Sequence, residues 1–169
     1  KTTLARVLVD LEKPIAGEVL FDGRVVARAG SHEVYGRQDR GKVQMVFQDP
    51  YSALNPRTRA WAGVAEAIQV WHHVSGRQAR EEAFHLLQSI GVTSEQAAHY
   101  PSALSGGQRQ RVSIGRALAP EPRVLVADEP TSAIDQSAQA HLLSLLREIQ
   151  AARGLRSCSF RTTSGWCVT

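Results

Sequence analysis

Apolar positions in this chain recur with two spacings, and the spacing changes along its length. Leu4, Ala5, Val7, Leu8, Val9 and Leu11 predict an opening helix that Pro14 ends. Val64, Ala65, Ile68, Val70 and Trp71, then Ala83, Phe84, Leu87 and Ile90, predict two helices between Trp61 and Ile90. Gly76 is the expected break between them and Gly91 the expected stop. Val112, Ile114, Ala117 and Leu118 predict a further helix, which Pro120 and Pro122 separate from the next apolar run. Ala140, Leu142, Leu143, Leu145, Leu146 and Ile149 predict another over residues 136–152, stopping at Gly154. Shorter apolar runs read as strands: a hairpin over 17–26 around the Asp22-Gly23 turn, Lys42–Phe47 after Gly41, and Val124–Ala127. Residues 28–41 are polar and read as a loop or short helix. Asp49–Arg57, with two prolines and Asn55, reads as an ordered loop rather than a helix.

Composition narrows the class without naming it. At 169 residues and 43% hydrophobic, the chain can bury one sizeable core. The net charge of +4 is spread along the sequence without a Lys/Arg run, so charge does not call for nucleic acid. Arg109 and Arg111 form the densest local pair, placed where positive charge would favour phosphate. The two cysteines, Cys158 and Cys167, and the six dispersed histidines form neither a disulfide framework nor a metal-ligand pattern. His72 and His73, being adjacent, point to different helix faces and read as solvated surface. No apolar run approaches the roughly twenty residues that cross a bilayer.

Chemistry concentrates between residues 104 and 135. Ser105-Gly106-Gly107-Gln108 places a hydroxyl and two bare backbone positions immediately before a helical pattern, a natural cradle for an anion. Val124–Ala127 runs straight into two carboxylates, Asp128 and Glu129, and acids at the carboxyl end of a parallel strand lie where α/β sheets bind ligands. Alone, Ser-Gly-Gly is a flexible turn and Asp-Glu a solvated strand end. Their order and spacing, with Gln48 upstream and Asp135 downstream, point instead to a nucleotide phosphate with its metal.

These residues resemble the ATP-binding subunits of ABC transporters over about residues 1–155. Leu104–Gln108 is similar to their signature motif, Val124–Glu129 to the Walker B strand, and Ser132-Ala133-Ile134-Asp135 to the D-loop, with Ile where Leu is usual. Lys1-Thr2-Thr3 resembles the tail of a P-loop, whose glycines are not in the sequence. Phe47 to Arg57 reads Phe-Gln-Asp-Pro-Tyr-Ser-Ala-Leu-Asn-Pro-Arg, which resembles the importers for dipeptides, oligopeptides and nickel in particular. The fold so implied is α/β: a P-loop NTPase (RecA-like) parallel sheet core with a small antiparallel β-region and an inserted α-helical subdomain, incomplete here. Its parts would be 1–58, a partial core with hairpin and Q-loop; 59–118, the helical subdomain with the signature; 119–155, the core with Walker B and D-loop; and 156–169, an anomalous tail.

The resemblance implies ATP and Mg²⁺ as cofactors and gives each residue a role. Glu129 would polarise the attacking water. Asp128, Thr2 and Gln48 would hold the Mg²⁺ shell, with Gln48 also sensing the γ-phosphate. Lys1, Thr2 and Thr3 would meet this chain's own phosphates. Ser105, Gly106, Gly107 and Gln108 would cap the nucleotide of a second ATP-binding subunit, homo- or heterodimeric and paired head to tail, with Asp135 at the same interface. Permease subunits would dock near Gln48 on the helical subdomain, with a substrate-binding protein indirectly engaged, at the cytoplasmic face of the inner membrane. After Gly154 the family pattern expects a strand ending in His, whereas residues 156–169 show little strand periodicity and no His follows His141. A translated frameshift is one account of that tail, which sequencing the DNA decides. With the P-loop glycines and the terminal His missing, little or no ATP hydrolysis by this polypeptide alone is the expectation. A catalytically incompetent fragment and a soluble ABC ATPase acting on nucleic acid are the alternatives. The short helical insertion and the lack of a zinc module weigh against the second.

Overall fold

The computed structural model describes residues 2–30, 36–47, 49–128, 136–153, 156–160 and 167–168. Helix α1 (Thr2–Leu8) stops well before Pro14. Asp10 takes a left-handed backbone with φ 60°. That lets the Leu11 N–H donate to the Arg6 carbonyl at 2.8 Å and the Asp10 N–H to the Val7 carbonyl at 3.2 Å. This pair of bonds closes a helix early and is usually made through glycine. Leu11, expected in the helix, is consequently 56% exposed.

β1 (Glu18–Phe21) and β2 (Arg24–Arg28) form the expected antiparallel hairpin. Asp22 and Gly23 both have positive φ, 50° and 75°, as the tight two-residue turn requires. The polar stretch contains a short helix, α2 (Arg37–Lys42), which leads directly into β3 (Val43–Val46). Ion pairs tie the hairpin to its surroundings through Arg24–Asp39 at 3.1 Å and Arg123–Asp22, while Lys42 reaches Asp39 within α2 at 3.0 Å and Arg40 joins α2 to Asp10 at 2.8 Å.

Asp39 is buried, and the hydrogen bond from Lys42, aided by the Arg24 charge, holds its carboxyl below the ordinary value against the opposing effect of burial. A carboxyl depressed in the folded state contributes stability above its unfolded-state pKa and loses it as pH falls through the folded value. Acid titration of chemical stability should therefore show a loss below about pH 4 in the wild type that Asp39→Asn flattens; the same slope in both would contradict this pairing.

The prolines of Asp49–Arg57 do not exclude a helix: α3 (Pro50–Ala53) is a single turn with Pro50 in first position, where a missing N–H costs nothing. α4 (Ala60–His72) and α5 (Gly76–Ser89) form the expected pair, but the break lies at His73, whose left-handed backbone (φ 55°) closes α4. Gly76 instead begins α5, behind the Ser75 cap. Gly91 does end α5: its N–H and that of Val92 donate to the carbonyls of Gln88 and Leu87 at 3.0 and 2.9 Å. Val70, expected in the core, is 50% exposed because the inward face of α4 runs through Val64 and Ile68. The short α6 (Ser94–Ala97) then leads to α7 (Gly106–Leu118), β4 (Val124–Asp128) and α8 (Gln136–Arg153).

Despite its weak periodicity, the tail supplies β5 (Arg156–Phe160), parallel to β4, and β6 (Cys167–Val168), antiparallel to β5. Arg156 is drawn in by its N–H donating to the Arg123 carbonyl at 3.0 Å. Backbone pairing needs no apolar alternation. The sheet order is β3–β4–β5–β6, with β3, β4 and β5 parallel.

Alternation along the strands builds a core on each face. Val43, Met45 and Val126 meet Ala5 of α1 and the hairpin residues Phe21 and Val26. Val46 and Leu125 meet the helical layer of Val64, Ile68, Leu87, Ile114 and Leu118, with Ile149 of α8. Among the described residues no helix is long and apolar enough to cross a membrane.

Candidate functional site

Ser105 is the N-cap of α7, and its placement follows from side-chain chemistry. Its Oγ accepts from the Gln108 N–H at 3.3 Å, while the Gln108 Oε1 accepts from the Ser105 N–H at 2.8 Å. This reciprocal capping box fixes where the helix starts. It leaves the N–H groups of Gly106 and Gly107 in the first turn, where no intrahelical carbonyl reaches them. Ser105 is exposed and the two glycines half-buried, so this turn opens to the surface. Bare N–H groups at the positive end of a helix attract an anion.

Arg109 does not join that cradle. It is 9% exposed, and its Nη1 donates to the carbonyls of Leu104 and Pro101 at 2.6 and 3.1 Å. Arg111 is likewise directed inward, donating to the Ile90 carbonyl at 3.0 Å and lying against Gly91. Arg109 thus anchors the approach to the signature and Arg111 the end of α5, rather than either supplying charge for a phosphate. Arg109 stands three residues before Val112 on the same helix face, so its burial is readable from the spacing. Nor is His72 wholly solvated: its Nε2 donates to the Ala119 carbonyl at 2.8 Å. Among the described residues no group of three or more His, Cys, Asp or Glu side chains gathers as a metal site.

The second half of the site is assembled on the sheet. β4 delivers Asp128 at its carboxyl end, where the Asp128 backbone pairs with Phe160 of β5. α1, which opens at Thr2 and Thr3, packs against β4, with Ala5 and Val126 in one cluster. The elements carrying Thr2, Thr3 and Asp128 are thus in contact. α7, with Ser105–Gln108, packs on α3, α4, α5 and β3 instead. Lys1, Gln48, Glu129 and Asp135, and the Asp128 side chain, lie outside the described residues.

A cavity of about 300 Å³ opens between β3, α4 and α7, lined among others by Gln44, Phe47, Ala53, Val70, Trp71 and Arg116. It continues toward Asn55 and Arg59 as a smaller one of about 110 Å³. Val70 and Phe47, which line this cavity, are 50% and 38% exposed.

A parallel sheet with helices on both faces, an acid at a strand's carboxyl end and an open helix N-terminus define the α/β architecture of nucleotide-binding domains. Residues 1–132 match the ABC transporter family, and the chain belongs to it. It is 46% identical over 155 residues to the "Probable peptide ABC transporter ATP-binding protein" of Sinorhizobium fredii, covering 92% of this chain and 43% of that protein. It is 40% identical to the oligopeptide transport ATP-binding protein OppF of Bacillus subtilis, covering 92% of this chain and 51% of that one. With the nickel import ATP-binding protein NikE of Rhodospirillum rubrum it shares 44% identity, covering 92% of this chain and 55% of the relative. The chain therefore spans about half the length of the curated relatives it matches. Among solved structures it is similar to an ATP-binding cassette in a dimeric post-hydrolysis state bound to ADP and Pi, with TM-score 0.77, 28% identity, and coverage of 95% of this chain and 75% of that one.

Proposed function

We propose that this chain carries part of the ATP-binding and hydrolysing machinery of an ABC importer for peptides or nickel, and that its signature turn serves a second ATP-binding subunit. The observation that carries the reading is the separation of the two half-sites. Thr2 and Asp128 lie on elements packed together, while the open first turn of α7 lies on others and faces the surface. That arrangement suits a nucleotide held by one chain and capped by another, and the similar cassette with ADP and Pi is dimeric.

The residues present suit ATP and Mg²⁺ by their donor chemistry. Thr2 supplies a hydroxyl and Asp128 a carboxylate for the cation. Lys1 supplies a cation for the β- and γ-oxygens, and Gln48 an amide for the γ-phosphate side. Mg²⁺ would neutralise charge on the phosphate oxygens when bound. Glu129 would accept the proton of the attacking water, and Asp135 would face the paired subunit. The groove of Gln44, Phe47, Val70 and Trp71 suits a permease subunit, in keeping with a peripheral component at the inner face of the membrane. The peptide or nickel assignment rests on the named relatives and on the wording of Phe47–Arg57.

Purified chain should bind a fluorescent ATP analogue more tightly with Mg²⁺ than without it. Asp128→Ala should remove that Mg²⁺ dependence, weakening binding by about tenfold or more. Mg²⁺-independent binding that Asp128→Ala leaves unchanged would refute the assignment.

A further inference from the structure

The last turn of α4 touches two other segments, the end of α2 and the residue just past α7. Trp71 lies against Gly41: a methyl group placed on Gly41 would stand 2.9 Å from both Cε3 and Cζ3 of the indole. Gly41 occupies the end of α2, one residue before Lys42, whose carbonyl accepts from the Arg123 N–H at 2.8 Å. The next residue of α4, His72, donates to the Ala119 carbonyl at 2.8 Å, just past the end of α7. His73 then closes α4 in a left-handed conformation with φ 55°, its N–H on the Gln69 carbonyl. A non-glycine residue holds such a backbone where its surroundings dictate it. The contacts form a closed circuit. They run from α4 to the head of β3, across to the foot of β4, and back through the end of α7.

We propose that this turn is a clamp that sets the position of β3 and β4 relative to α7, with Trp71 as its positioning residue. β3 leads to Gln48, β4 to Asp128, and α7 carries the signature turn. The clamp thus holds the three elements at the ends away from the half-sites, and its bearing on them rests on the nucleotide reading above. Aromatic area against a bare backbone suits the task. The ring stands against the Gly41 backbone and also lines the adjoining groove, a reach that an aromatic side chain has and alanine lacks.

Amide hydrogen exchange on the whole chain tests the clamp without nucleotide. Trp71→Ala should speed exchange by about tenfold in residues 43–46 and 124–127 and in the last turn of α7, leaving α5 within about twofold. Trp71→Phe should restore most of the protection. Gly41→Ala, which keeps the indole but lifts it, should speed exchange in 43–46. Unchanged exchange in 43–46 for Trp71→Ala, or an equal rise in every segment, would overturn the proposal. A parallel titration of wild-type chain with MgATP judges the nucleotide reading separately: failure to bind would refute that reading, while the exchange result alone decides the clamp.

Discussion

Replacing Arg109 by Met should lower the stability of this chain by about 1–3 kcal/mol, a sizeable share of what a domain of this size possesses. The guanidinium is buried and satisfies the carbonyls of Leu104 and Pro101 at 2.6 and 3.1 Å. Methionine fills a similar volume but takes the guanidinium from the Leu104 carbonyl, while the Pro101 carbonyl keeps the Leu104 N–H at 3.2 Å. One such orphan costs about 1–3 kcal/mol. Lysine keeps the charge but offers one ammonium in place of a planar fork, so Arg109→Lys should recover only part of the loss. Denaturant melts with unchanged slope and a lowered midpoint are the expected record. A melt of Arg109→Met indistinguishable from wild type would place this arginine outside the fold's essentials.

Gly115→Leu should cost about 3 kcal/mol or more by forcing α5 and α7 apart. A single methyl at Gly115 would already stand 3.1 Å from Leu87 Cδ2 and 3.1 Å from Ile90 Cδ1. Leu87 is fully buried and cannot swing aside without displacing the helical layer. Leu87→Ala alone should cost about 2–5 kcal/mol through the cavity it leaves. In the double variant the side chain introduced by Gly115→Leu enters the volume Leu87 vacates, so the combined loss should fall well short of the sum. Strictly additive losses would show that the two helices do not meet at Gly115.

Periodicity makes the helices and strands readable because most apolar side chains here face a core. It misjudges positions where backbone or polar chemistry decides. α1 ends at Asp10 because an aspartate adopts the left-handed conformation, which no apolar pattern reveals. α4 ends at His73 for the same reason, and the visible glycine at position 76 draws the expected break three residues too late. Pro50 opens a helical turn because proline blocks a helix interior and not its first position. β5 escapes notice because its order comes from pairing with β4, a partner distant in sequence.

The signature turn is the most readable part of the candidate site: Ser105 and Gln108, three apart, satisfy each other locally, and the capping box follows from sequence. Arg109 misleads because its charge suggests phosphate where its helix face indicates burial. The Trp71–Gly41 contact is not readable at all, since it joins residues thirty apart through shape alone.

If the signature turn of one chain closes on the nucleotide of another, nucleotide should drive two chains together. In a form of the protein that includes the P-loop glycines and the terminal His, Glu129→Gln, which retains the shape at the expected catalytic position while removing the base, should hold ATP without turning it over. Light scattering on this variant with saturating MgATP should give twice the mass found without nucleotide. Adding Gly107→Asp should return it to the single-chain mass. An acid in the first turn favours the helix itself, so that loss would reflect repulsion of phosphate rather than unfolding. A mass that ignores MgATP, or a dimer that tolerates Gly107→Asp, would contradict closure in trans.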